Sequence, residues 1–233
     1  MLKVELHAHT SDDPLDRIPH SAVALIDRAA ALGYDALAIT LHNKQLDLAL
    51  YAEYASARRL VLIPGLEREI HGCHVLLLNF STQAEQVHSF EDLAALRSRE
   101  RGLVVAPHPF FPIRSLGRHL TRHPELFDAV ECNAMYTRSL NFNRAAERWA
   151  RRHGKPLVGN GDIHRLEQLG TTYSLVEADR DPASICAAIA GGRVRVVTTP
   201  LTWPTAIRIF GSMARSSLIP HRHSGHQPTR AAV

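Results

Sequence analysis

His7 and His9 stand two residues apart in the stretch Val4-Glu5-Leu6-His7-Ala8-His9-Thr10-Ser11-Asp12-Asp13. Leu2, Val4 and Leu6 alternate with Lys3 and Glu5, the period of a half-buried strand. On a strand, residues i and i+2 point to the same side, so both imidazoles can aim at one point. Two neutral imidazoles suit zinc, manganese or iron, and the carboxylates that follow supply harder oxygen ligands. Two surface histidines would give the same pair. Its weight comes from recurrence: other stretches that read as strands also end in His, Glu or Asp.

The elements that must position these groups alternate between strand and helix. An apolar strand over 36–40 ends at His42-Asn43. A strand over 60–63 delivers Pro64-Gly65-Leu66-Glu67, and a turn over 69–74 around Gly72 leads into a strand over 75–80. The strand over 103–106 ends in Pro107-His108-Pro109. That over 129–132 ends at Asn133, and that over 157–159 runs into Asn160-Gly161-Asp162-Ile163-His164. Helical spacing follows Ser21 and marks 90–101, 141–153 and a stretch near 182–190; a further helix is expected from about residue 44 to Arg59. Strands over 173–176 and 194–198 complete the set. Such alternation argues for an α/β chain with a mainly parallel sheet, and its repetition for a barrel. In barrels the C-terminal ends of the strands build the active site, and the ligand-type residues fall at those ends.

Composition sets the outer bounds. The chain has 233 residues, 45% of them hydrophobic and 21% charged, which suits one soluble core. Its apolar runs are too short to span a membrane, and the N-terminus lacks the pattern of a signal peptide. Cys73, Cys132 and Cys186 show no CxxC spacing, so reduced thiols and a cytoplasmic location are expected. A formal charge of +4 is mild, and much of the excess lies in the tail; nucleic acid is not favoured as a partner. The domain reading is a barrel over 1–200, a C-terminal helix over 201–215 packing on it through Trp203 and Phe210, and a disordered basic tail over 216–233.

His7-x-His9, His42 in Thr40-Leu41-His42-Asn43, Glu67 in Pro64-Gly65-Leu66-Glu67, His108 in Ala106-Pro107-His108-Pro109 and Asp162-x-His164 follow one another in this order. That order resembles the PHP (polymerase and histidinol phosphatase) family of metal-dependent phosphoesterases. The resemblance implies a distorted (β/α)7 TIM-like barrel holding two or three divalent ions, commonly Mn, Fe or Zn, at the C-terminal strand ends. It implies that His7, His9 and Asp162 hold one ion, that Glu67 bridges two, and that His42, His108 and His164 complete the set. His74, before an apolar strand, matches a further family ligand. An acidic or His ligand is also expected soon after the His-x-His pair, where Asp12, Asp13, Asp16 and His20 compete; Asp13 is the first choice and Asp16 the second. Many members carry Thr-Asp-His where this chain has Thr40-Leu41-His42, a departure that bears on metal affinity or identity more than on fold.

The implied chemistry is hydrolysis of a small phosphomonoester or nucleotide by a metal-activated water. His108, His164 and Asp162 are the catalytic candidates, with His108 or His164 protonating the leaving alkoxide. Arg114 and Arg138 lie in loops after strand ends and are candidates for holding the phosphate. Glu131 and Asn133 stand at another strand end, beside the site or in the core. Cys132 is read as a buried small residue rather than a nucleophile, and His88 as a surface residue. Two other readings differ in class. A metal-dependent amidohydrolase also begins with a His-x-His strand, but usually adds a bridging lysine. A non-catalytic, metal-stabilised PHP accessory module would be expected to have lost several ligands.

Overall fold

A computed structural model of the chain describes residues 1–112 and 114–217. Residues 218–233, most of the stretch read as a tail, lie outside the described residues, as does the side chain of Phe210. The strands are β1 (Leu2–Glu5), β2 (Ala36–Ala38), β3 (Val61–Ile63), β4 (Gly65–Ile70), β5 (Cys73–Leu78), β6 (Leu103–Ala106), β7 (Ala129–Asn133), β8 (Leu157–Asn160), β9 (Thr172–Val176) and β10 (Val194–Thr198). The helices are α1 (Ala22–Ala31), α2 (Ala52–Ser56), α3 (Phe90–Arg99), α4 (Gly117–Arg122), α5 (Asn143–His153), α6 (Pro182–Ala190) and α7 (Trp203–Ser217). Local signals explain several of these boundaries. The Ser21 side chain accepts from Ala24 N to start α1, Ser89 and Asp92 form a reciprocal capping box on α3, and Gly154 at φ 63° ends α5.

The strands form two five-stranded sheets, β10-β9-β1-β2-β3 and β4-β5-β6-β7-β8. This corrects two expectations. The sheets are mixed rather than mainly parallel: β1–β2, β2–β3, β6–β7 and β7–β8 pair parallel, while β9–β1, β10–β9, β4–β5 and β5–β6 pair antiparallel. Nor do they close into one hydrogen-bonded barrel. The first difference has a local cause in β4–β5. His71 and Gly72 both take positive φ (50° and 77°), which makes a two-residue hairpin, and so short a connection permits only antiparallel pairing. The helix expected up to Arg59 is also shorter, reduced to α2 and a preceding single turn at Leu48–Leu50.

The sheets meet along two seams where single bonds replace ladders. At one, Gly159 N donates to the Ser174 hydroxyl (2.9 Å), which donates back to Gly159 O (3.1 Å). A Cβ on Gly159 would sit 2.7 Å from Tyr173 O, so glycine permits the close approach of β8 to β9. At the other, Glu67 N donates to Leu41 O (3.1 Å) and Asn43 N to Glu67 O (2.9 Å). Between the sheets lies a core of Val4, Leu6, Ile63, Leu76, Leu78, Val105 and Val158, joined by Ile185, Ala188 and Ile189 of α6. No helix of the described residues is long and apolar enough to cross a membrane.

Candidate metal centre

Glu67 sits near the middle of β4, not at the end of a parallel strand, and is buried. Five imidazoles surround its carboxylate: His74 Nδ1 at 2.6 Å, His42 Nε2 at 3.1 Å, His108 Nε2 at 3.2 Å, His7 Nε2 at 3.4 Å and His9 Nε2 at 3.5 Å. Each arrives from a different local device. His7 and His9 continue the line of β1 and are pinned by Ile163 N donating to His7 O (3.1 Å) and His9 N donating to Ile163 O (3.0 Å). His42 follows β2 and is bridged to Glu67 across the seam. His74 lies on β5 opposite Glu69, so it shares a face of the hairpin with Glu67. His108 follows β6 and Asp162 follows β8, both at positive φ (29° and 50°). Such strained backbone is held only where its surroundings over-determine it. Asp162 Oδ1 lies 3.4 Å from His7 Nε2 and 3.6 Å from His9 Nε2.

Several ring nitrogens are committed to carboxylates on the far side. His7 Nδ1 donates to Glu131 Oε1 (2.8 Å) and His9 Nδ1 to Asp13 Oδ2 (3.0 Å); His42 Nδ1 faces both Asp13 oxygens (3.1 and 3.0 Å). Each such bond fixes the tautomer and leaves the Nε2 lone pair aimed inward. His7 Nε2, His9 Nε2 and His74 Nδ1 are buried without a hydrogen-bond partner. Unpaired buried nitrogens are costly, and here they converge on carboxylate oxygens. Ligand atoms about 2.1 Å from a tetrahedral ion lie about 3.4 Å apart, the spacing of His7, His9, Glu67 and Asp162. Four overlapping groups fit an ion by distance: His7–His9–Asp162, His7–Glu67–His108, His9–Asp13–His42 and His42–Glu67–His74. The donor set therefore fits divalent cations.

These groups contain eight of the nine residues expected to bind metal; the ninth, His164, stands at their edge. Its Nε2 faces Asp16 Oδ2 (3.1 Å) and its Nδ1 faces Asp162 Oδ1 (3.3 Å). Among the loop candidates, Asp13 joins the cluster. Its oxygens also accept from the backbone N–H groups of Leu15, Asp16 and His42, so its lone pairs are largely occupied. Asp16 meets His164 instead. His20 Nε2 donates to His9 O (2.9 Å) and Asp12 accepts from Thr10, so both support the loop. Arg114 pairs with Glu69 and lies 3.0 Å from His74 Nε2, at the mouth of the site. Arg138 is exposed and does not line the cavity over the cluster.

Sequence reasoning missed Glu5 and left Glu131 open. Glu131 is fully buried and accepts from His7 Nδ1, His108 N, Asn133 Nδ2 and Asn160 Nδ2. Glu5 accepts from the backbone N–H groups of Leu6, His7 and Gly161. Its signal was present: Glu5, His7 and His9 share one strand parity. Gly161 allows the approach, since a Cβ there would meet Glu5 Oε2 at 3.2 Å and Ile163 Cδ1 at 2.0 Å.

The electrostatics describe an anionic well. Burial disfavours a charged His7, yet Asp162, Glu131 and Glu67 outweigh it and hold its pKa well above the usual value. His42 behaves likewise: burial opposes protonation, but Glu67 and Asp13 push its pKa up to about 11. Burial works against ionised Glu67 and Asp162, but the neighbouring histidines keep both pKa values well below the carboxylate range. Burial alone dominates at Glu5, whose pKa rises to about 8. A well of this sign favours cations, whether protons or metal ions.

Above the cluster opens a cavity of about 660 Å³. Asp16, His42, Glu67, His74, His108, Asp162 and His164 form its polar floor; Leu15, Phe111, Met135, Leu140, Phe142, Trp203 and Ala206 are among its other lining residues. Trp203 therefore does more than pack α7: it faces this cavity and remains 52% exposed.

A family model described as PHP-associated matches residues 141–194, from α5 into β10. No curated protein sequence matches the chain at a significant level. Solved structures share its fold. One is a two-domain protein from Bacteroides vulgatus containing a predicted PHP-like metal-dependent phosphoesterase; it is 17% identical, with 91% of this chain and 69% of that chain covered and a TM-score of 0.69. PsfC from Pseudomonas syringae is 19% identical, with 94% and 99% covered and a TM-score of 0.62. The lesion-specific endonuclease PfuEndoQ from Pyrococcus furiosus is 14% identical, with 90% and 66% covered and a TM-score of 0.52. The matched segment is described as PHP-associated, and the fold in which it is set is shared with a PHP-like protein.

Proposed function

We propose that the chain is a metal-dependent phosphoesterase that hydrolyses a small phosphomonoester. The observation that carries this reading is the Glu67 carboxylate ringed by five imidazoles, three of them with unpaired buried nitrogens. His7, His9, His42, Glu67, His74, His108 and Asp162 would hold two or three ions of Mn, Fe or Zn, while Asp13 and Glu131 fix the ring orientations. Ions held there would lower the pKa of water and neutralise the charge of a phosphate.

The remaining work falls to the chain's own side chains. Water adds to phosphorus, the phosphorus–oxygen bond to the alcohol breaks, and the alcohol oxygen takes up a proton. His164, held between Asp16 and Asp162 on the cavity floor, is placed to supply that proton. Arg114, beside His74 at the mouth, can exchange Glu69 for a phosphate oxygen. Among the described residues lining the cavity, Arg114 is the one lysine or arginine, which favours a small ester over a polynucleotide.

Metal analysis of the purified protein by mass spectrometry, paired with hydrolysis of p-nitrophenyl phosphate in added Mn, Fe(II) or Zn, tests the proposal. Two or more ions per chain with metal-dependent turnover is the expected result. Metal-loaded protein that releases phosphate from no phosphomonoester overturns it.

A further inference from the structure

We propose that the alcohol half of the substrate is apolar or aromatic, and that Phe111, Leu140, Phe142 and Trp203 select it. The inference rests on the phosphoesterase reading and narrows its substrate class. Among the described residues, five large hydrophobic side chains are exposed, and three of them, Leu15, Leu140 and Trp203, line this one cavity. Singly exposed apolar residues need no explanation, but a group of them above a concave polar floor marks a ligand surface. They arrive from three separate segments: the loop after β1, the loop before α5, and the start of α7.

Aromatic contacts connect this rim to the floor. The Phe111 ring lies 5.2 Å from that of Phe142 and 6.0 Å, edge-on, from that of His108. A phosphate seated over the metal ligands would leave its ester oxygen pointing into this aromatic mouth. The rim's polar groups are already engaged. Tyr136 Oη is bonded to Thr198 Oγ1 (2.9 Å), Thr137 Oγ1 accepts from Leu140 N (3.1 Å), and Arg114, the one lysine or arginine lining the cavity among the described residues, is taken by the phosphate being cleaved. A polyol or a second phosphate would lose hydration there and find few partners, whereas an apolar ring would gain contact.

The test uses the full chain loaded with Mn and one pair of esters of similar leaving group, 2-phenylethyl phosphate and glycerol 1-phosphate. A second arm measures binding of the non-hydrolysable 2-phenylethylphosphonate and ethylphosphonate by calorimetry. The expected result is a preference of about tenfold or more for the phenyl compound in kcat/KM and in Kd. Leu140→Ser and Trp203→Ser, at exposed positions where folding is not at stake, should each lower that preference severalfold. Ile207→Ser, exposed on α7 but away from the cavity, should leave it intact. Equal kcat/KM and equal Kd within each pair, or a preference untouched by both rim variants, overturns the inference. If neither these esters nor any other phosphomonoester is hydrolysed, the phosphoesterase reading falls instead; the calorimetric preference then decides the rim separately.

Discussion

The floor and the rim of the cavity are built on opposite principles. On the floor, the polar groups are cross-braced from behind and leave the ring nitrogens of His7, His9 and His74 facing inward: Glu131 fixes His7 and His108, Asp13 fixes His9 and His42, and Glu5 gathers three backbone N–H groups. These residues are buried and attached to strands or to loops directly beyond them. The rim is made of half-exposed apolar side chains on loops and on one helix, of which Phe111 packs against a small cluster of Met135, Leu201, Ala206 and Ile209. Chemistry demands placement to a fraction of an ångström, which only a cross-braced polar network gives. Selection among alcohols asks for shape and apolar contact, and tolerates change.

The comparison can be broken most directly at its centre. Glu67→Ala removes the carboxylate that five histidines share, and turnover should fall by about a thousandfold or more, with loss of bound metal and an unchanged circular dichroism spectrum. Full activity in this variant would remove Glu67 from the metal centre. Next in size is Glu5→Ala. Three buried N–H groups would lose their acceptor, at a cost of about 3 kcal/mol or more in stability. Glu5→Gln keeps an acceptor and should recover most of that loss in urea unfolding.

A smaller effect is expected one bond away from the ligands. Glu131→Gln should weaken metal binding by about tenfold to a hundredfold, because His7 would lose the charge that orients it. Unchanged affinity by metal titration would show that His7 is held by packing alone. The smallest effects should come from residues outside both regions. Burial pushes the Cys132 and Cys186 thiols up to about 12, so neither forms thiolate readily, and Cys132→Ala should retain full turnover. Native protein should likewise resist a thiol reagent until it unfolds. His88→Ala, at an exposed site, should change neither metal content nor activity.

Local pattern was enough for most of the floor. The alternation before His7 predicted a strand, and its period of two placed His7 and His9 on one face. The same period includes Glu5, which went unnoticed because a glutamate on a short strand usually faces water. Glu67 and His74 were legible as residue types, but not as partners on one antiparallel hairpin. Their pairing depends on a two-residue turn with positive φ at His71, a conformation uncommon outside glycine. The α/β class was legible in the alternation, but a mainly parallel barrel was too regular an extrapolation, since the strands form two mixed sheets and strand order and direction are long-range properties.

By itself, then, the chain's order of residues determined which side chains have ligand chemistry and that short strands, or the loops directly beyond them, carry most of those side chains. Covalent geometry acts over a few residues, and that range is sufficient for both. Only the tertiary structure decided that Asp13 and Glu131 back the histidines, that His164 stands at the edge of the cluster, and that Leu15, Leu140 and Trp203 share one mouth. Those relations join segments as much as 188 residues apart, from Leu15 to Trp203. Their closeness is set by how two sheets and a terminal helix pack, which no local spacing encodes.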